Sequence, residues 1–286
     1  MNWLYQFPFK LNIDTAAIDD AVRSFAVNNE AILQFMRRGL NGLLSSIHST
    51  LDFIPWWILV IVVFVLGFLQ TKKIKTGIVY AVMLFSIGAV GLWPLMLLTL
   101  SIVIASVAIS LLLGFPIGVL ISMNDRASSI VRPILDTMQT MPVFVYLIPA
   151  VLLFGLGRVP AVMATTIYAI VPIVRLTNLG IRQVNEEVVE AAKSFGSTRI
   201  QAMVKVQIPQ AFATIMAGLN QTLMMAMAMV VTASMIGASG LGMEVLISVN
   251  RVEVGRGLVS GTAVVILAIL LDRLSQGWVK DKEEEA

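Results

Sequence analysis

Cysteine is missing from all 286 residues, and histidine occurs once, as His48. The first absence excludes a disulfide framework and thiolate chemistry. The second, with no H-E-x-x-H run, leaves no metal-ligand cluster, so no bound metal is expected and neither is a metal-dependent enzyme. No G-x-x-x-x-G-K-[ST] loop is present to cradle nucleotide phosphates. Charge is scarce as well: 13% of residues are charged and 58% hydrophobic, against about 25% and about 45–50% in ordinary globular domains. That balance belongs to a membrane protein. A net charge of +3 is too small to suggest a nucleic-acid footprint. The front of the chain lacks the compact apolar run of a cleavable signal peptide.

What the chain does have is apolar runs, at about 53–69, 77–93, 95–121, 143–156, 160–174, 211–236 and 258–271. A crossing takes about 20 helical residues, so the fourth, fifth and seventh must borrow polar flanks or thin the bilayer. The expectation is an all-α integral membrane protein of about seven transmembrane helices. Ahead of them, Val22, Phe25, Ile32, Leu33, Met36, Leu40, Leu43, Leu44 and Ile47 recur at spacings of three and four. They predict an N-terminal amphipathic helix within 1–52, either lying in the membrane interface or packed on the bundle. Residues 53–93 read as two accessory spans, 94–274 as the core and 275–286 as a solvated cytoplasmic tail. Most basic residues collect on one side if the 70–76, 122–138 and 175–210 loops and the tail are cytoplasmic: Lys72, Lys73, Lys75, Arg126, Arg132, Arg175, Arg182, Lys193, Arg199, Lys205 and Arg273 among them. The N-terminus is then outside and the C-terminus inside. Gly114 and Gly118, four apart around Pro116, predict a kinked helix that a neighbour approaches closely, in a second copy or within the subunit.

The 175–210 loop is unusually polar. VNEEVVEAAKSF predicts a helix, Gly196 its stop, and Thr198 with Gln201 the capping box of a second helix whose apolar positions are Ile200, Met203, Val204 and Val206. Pro209 suits a fresh helical start after a further turn. A short cytoplasmic helix of this kind can enter a groove on a soluble partner.

Glu190, Ala191 and Ala192, three residues, Gly196, nine residues, then Val206-Gln207-Ile208-Pro209 resembles the EAA signature of ABC importer membrane subunits, with Val and Ile for the usual Ile and Leu. The likeness runs over roughly 95–276. Through LDTMQTMPVFVYLIPA (135–150), VPIVRLTNLGIRQV (171–184), GASGLGMEV (237–245) and LDRLSQ (271–276) it is similar to the glycine betaine/proline betaine permease branch. The resemblance implies a type I ABC importer (MetI-like) core in a bacterial or archaeal cell membrane. It implies Glu190, Ala191, Ala192, Gly196 and Pro209 as the ATPase-coupling element. It also implies a second copy of the chain, two separate ATP-binding cassette ATPases carrying ATP and Mg, and an external solute-binding protein, with lipid but no nucleic acid as further partners. The chain itself would carry no cofactor and no catalytic residue. The substrate is a betaine or related quaternary amine, or alternatively another small solute such as an amino acid, choline or carnitine.

Such a solute needs a wet, weakly binding path. Gln139 and Tyr146 near the fourth run, and Asn220, Gln221 and Thr222 in the sixth, are candidates to line it. Asn220 and Gln221 equally suit gluing helices together. Met224, Met225, Met227 and Met229 fit packing better. Glu244, Arg251 and Glu253 follow the GASGLG turn, as a receptor contact, a gate or merely solvated charges. Arg175 and Asp272 read as paired or snorkelling anchors. An ion-coupled carrier would want paired halves or ionisable groups deep in the spans, and the central runs offer neither.

Overall fold

The computed structural model describes residues 15–283, and side chains through 277. Lys10, Asp14 and the end of the acidic tail lie outside the described residues. In chain order the α-helices are α1 (Thr15–Asn28), α2 (Glu30–Phe53), α3 (Trp56–Thr71), α4 (Ile74–Ala89), α5 (Trp93–Ser122), α6 (Asp125–Thr140), α7 (Val143–Phe154) and α8 (Arg158–Arg182). After the loop come α9 (Glu186–Ser194), α10 (Arg199–Ala202), α11 (Ile208–Gln210), α12 (Phe212–Thr232), α13 (Leu241–Arg251) and α14 (Val254–Glu283).

The expected apolar runs are largely helical, but not all of them are long enough to cross on length alone. Four single spans are long and apolar enough to cross a membrane: Trp93–Ser122, Arg158–Arg182, Phe212–Ile236 and Val254–Gly277. Two bent pairs, α2 with α3 (91°) and α6 with α7 (93°), raise the number to six if each pair is one span. Among the described residues, length and composition alone thus count four to six spans, with α4 a further, shorter apolar helix. The fifth and seventh runs gain their length from polar flanks, Arg175 to Arg182 in α8 and Asp272 to Gly277 in α14. The fourth stays a 12-residue helix because Pro142 turns the chain sharply before it, and α4 reaches only 16 residues.

α8 is the centre, packed between α5 and α12. Lipid supplies no hydrophobic drive between helices, so close approach has to come from small side chains. A Cβ on Gly114 would lie 2.5 Å from Ile173 Cγ2, and one on Gly118 2.6 Å from Thr177 Cβ. The glycine pair therefore serves packing within the subunit, and α5 carries Pro116 without interruption. On the other side of α8, Gly180 leaves room for Thr214 and Gly218 for Leu176. Polar threads add direction: Ser110 Oγ donates to the Thr166 carbonyl at 3.3 Å, and the Leu241 N–H donates to Thr99 Oγ1 at 2.8 Å, pinning α13 to α5.

The N-terminal segment divides at Asn29 into α1 and α2 instead of forming one helix. Its apolar face divides between packed and exposed stretches. Leu44 is fully buried and Leu40 and Ile47 pack on the core, whereas Phe25 and Ile32 are exposed. Exposed apolar stripes also run along α3 (Ile61, Val65, Leu69), α4 (Ile78, Val82, Phe85) and α14 (Val265, Ile269). Apolar faces this extensive suit lipid, not water. Gln70 Nε2 donates to the Leu274 carbonyl at 2.8 Å, fastening the α3 end to α14.

Candidate coupling loop and polar path

α9 begins where Asn185 accepts from the Glu187 N–H at 2.9 Å, and two acids in its first turn favour the positive end of the helix dipole. It ends at Gly196, whose φ of +86° is the left-handed conformation glycine adopts freely. Thr198 then closes both halves of the expected capping box: its N–H donates to Gln201 Oε1 at 2.8 Å, and its Oγ1 accepts from the Gln201 N–H at 3.3 Å. Beyond α10 the expected turn is replaced by a π-helical stretch, Met203–Gln207, that runs on into α11, with Pro209 near its start. The extra backbone per turn keeps the segment helical where a break would leave carbonyls unpaired.

The apolar residues of this loop divide into an anchor and a free face. Met203 and Ala211 are buried against Ile173, Ile181 and Ile215 at the ends of α8 and α12, while Ile200 and Val204 are exposed. α9 buries no residue, and its principal packing partners are α10 and the π-helix. Phe195, at the turn, is 92% exposed, an extreme value for an aromatic side chain. Glu190 and Ala191 share that open surface and Ala192 is half-buried. Behind the loop lies a cavity of about 440 Å3, walled by Ser122, Arg182, Glu186, Glu190, Lys193 and Arg199. The lever is thus held at one end and stands clear of the spans along the other.

Sequence reasoning missed how the adjoining span ends are braced. Arg182 donates to Asp125 at 2.6 Å, to Asn178 at 3.0 Å and to the Ile121 carbonyl at 3.3 Å, joining α8 to α6 and α5. Asn178 in turn donates to Ser128 Oγ at 3.2 Å. Arg175 pairs with Asp136, and Asp272 accepts from Asn220 and Gln276. Apart from the four-residue steps Asn178–Arg182 and Asp272–Gln276, these partners lie tens of residues apart in sequence, so only tertiary structure reveals them.

The path candidates are not brought together. Asn220 Nδ2 donates to Asp272 Oδ1 at 2.9 Å and its Oδ1 accepts from Ser275, so it binds α12 to α14. Gln221, beside it, is exposed, whereas Thr222 is fully buried with its hydroxyl unpartnered. Tyr146 is buried, donates to the Met138 carbonyl across the α6–α7 bend and meets Tyr168 edge-on at 6.0 Å. Gln139 is half-buried nearby. Met227 and Met229 fill the core, as their flexibility suits, and Met224 is exposed. On α13 and α14, Glu244 and Glu253 both converge on Arg256, at 2.5 and 3.1 Å. Among the described residues no group of three His, Cys, Asp or Glu side chains is placed to hold a metal ion.

Among the described residues the chain is a helical bundle with apolar outer faces and a half-free polar loop at one end, the build of a multi-span membrane protein. Residues 110–280 match the family described as binding-protein-dependent transport system inner membrane component, and the chain belongs to that family. It is 47% identical over 249 residues to the glycine betaine/carnitine transport permease protein of Listeria monocytogenes, covering 86% of this chain and 88% of that one. It is 48% identical over 221 residues to the glycine betaine/proline betaine transport system permease protein of Escherichia coli, covering 77% and 62% of the two. The glycine betaine transport system permease protein of Bacillus subtilis is 45% identical over 239 residues, covering 83% and 84%. Among solved structures, an inward-facing MetNI methionine ABC transporter superposes with a TM-score of 0.59 at 21% identity, covering 68% of this chain and 94% of that one. An amino acid ABC transporter gives 0.54 at 21% identity, covering 70% and 98%. Both show the fold alone.

Proposed function

We propose that the chain is the membrane subunit of an ATP-driven importer for glycine betaine or a closely related quaternary amine. Glycine betaine is the one solute that the names of all three relatives above share. Two copies of the chain pair in the membrane, two ATPase subunits bind beneath them, and an external receptor delivers the solute. In this reading α3, α4, α5, α7, α8, α12 and α14 each cross, the shorter ones locally thinning the bilayer. The N-terminus is outside and the lever and C-terminus are cytoplasmic.

The observation that carries the coupling role is the exposed turn of α9 with Phe195 at its tip, anchored through Met203. Glu190, Ala191 and Ala192 present a small-residue face that a cleft on the ATPase can grip, and Gly196 and Pro209 set the angles on either side. Closure of the ATPase pair then tilts the ends of α8 and α12 through the buried anchor. Asn220, bound to Asp272, serves that framework, leaving the exposed Gln221 as the path candidate best supported by position.

Reconstitution with ATPase and receptor tests the substrate. ATP-dependent uptake of glycine betaine is expected, and carriage of methionine or another solute in its place would overturn the assignment. Uptake by the chain alone, driven by an ion gradient, would overturn the ATP-coupled mechanism.

A further inference from the structure

The α2–α3 elbow encloses a second cavity, of about 430 Å3, at the opposite end of α5 from the lever. Its walls are Asp52 and Pro55 at the elbow, Trp56 at the start of α3, Phe85 and Gly88 near the end of α4, and Trp93 at the start of α5. The volume lies in the range of about 300–1,000 Å3 typical of small-molecule sites. Trp56 and Phe85, both in its wall, stand with ring centroids 6.0 Å apart and tilted by 55°, so they are not stacked face to face. At Gly88 a Cβ would sit 3.3 Å from the Trp93 ring, and its absence lets that ring close against α4.

Two independent features give this cavity a preference for positive charge. Aromatic faces carry negative potential and attract cations within about 6 Å. Asp52, in the last turn of α2, is an exposed residue of the cavity wall with no hydrogen-bond or ion-pair partner among the described residues, so its carboxylate is open to a bound cation. A metal ion does not fit, because a hard cation needs about six oxygens and the lining provides one carboxylate among rings. A methylated ammonium does, being weakly hydrated, bulky, and satisfied by ring faces with a single counter-charge.

We propose that Asp52, Trp56, Phe85 and Trp93 form a binding site for a quaternary ammonium group, separate from the Gln221 path and from the lever. The group belongs either to a free solute or to a choline-type lipid head. The site rests on the cavity alone, and its test uses no receptor and no transport, so it stands or falls separately from the importer reading.

Full-length protein in nanodiscs of phosphatidylglycerol and phosphatidylethanolamine is titrated with radiolabelled tetramethylammonium at constant ionic strength. Saturable retention is expected, weakened about tenfold or more by Asp52→Asn or Trp93→Ala and within about threefold of normal for Trp93→Phe, which keeps a ring face. A thermal-unfolding midpoint close to the parent's establishes that each variant is folded. Discs containing phosphatidylcholine separate the two sources. Unchanged retention assigns the site to a free solute, while loss of retention, with the lipid co-purifying with the parent protein and not with Asp52→Asn, assigns it to the lipid head. If the parent protein shows neither saturable retention nor Asp52-dependent lipid, or if Asp52→Asn and Trp93→Ala bind as it does, the proposal is overturned.

Discussion

At Gly196 nothing lies within 4 Å of where a Cβ would stand, so only the backbone opposes a side chain there. The φ of +86° makes that opposition worth about 1–2 kcal/mol. Gly196→Val should therefore leave the bundle folded and redirect the lever, lowering both ATPase co-purification and coupled uptake, with Gly196→Asn milder. Unchanged stoichiometry and uptake in Gly196→Val would remove the lever from the mechanism. Phe195, 92% exposed, makes the complementary case. Phe195→Ala should alter thermal stability by less than about 0.5 kcal/mol, yet weaken ATPase association by about 2 kcal/mol if the ring is a contact anchor; a titration of ATPase onto the purified variant measures it. Glycine stop and capping box were legible in the sequence because both are local: the spacing Thr198-x-x-Gln201 contains the whole hydrogen-bond pattern. The exposure of Phe195 was not, since an aromatic residue beside Val188 and Val189 reads equally well as buried.

Among the elements, the α5–α8 contact shows what a missing side chain does. Gly118→Val would place a methyl-bearing carbon where Thr177 Cβ is 2.6 Å away, and should cost about 1–3 kcal/mol through overpacking. Gly39→Ala on α2, with nothing within 4 Å, should instead be neutral or stabilising by up to about 1 kcal/mol. Thermal unfolding of the two variants in one detergent checks the contrast. Arg182→Met should destabilise by about 1–3 kcal/mol, chiefly because buried Asn178 loses a donor and the α5, α6 and α8 ends come apart. The small-residue spacing of Gly114 and Gly118 was readable, but its partner helix begins some 40 residues later in the chain. The π-helical stretch was unreadable for another reason: it answers to the buried seat of Met203 and carries no propensity signal of its own.

For the molecule as a whole, the absence of cysteine is an experimental convenience. Arg251→Cys and Lys73→Cys each introduce a single thiol on a cysteine-free background. With the N-terminus outside, an impermeant thiol reagent should label Arg251→Cys in intact cells, and Lys73→Cys only after permeabilisation. The reverse pattern would invert the topology. The number of spans was harder to read than their existence, because apolar run length ignores polar flanks that continue a helix and prolines that bend one. α5 is a single rod of 30 residues, about 45 Å long, with Trp93 in the aromatic cavity at one end and Ser122 in the cleft behind the lever at the other. A swing of the whole rod by about 5° about either end would displace the other by roughly 4 Å, enough to open or close an atomic contact, so a change of packing at one end has a direct route to the other.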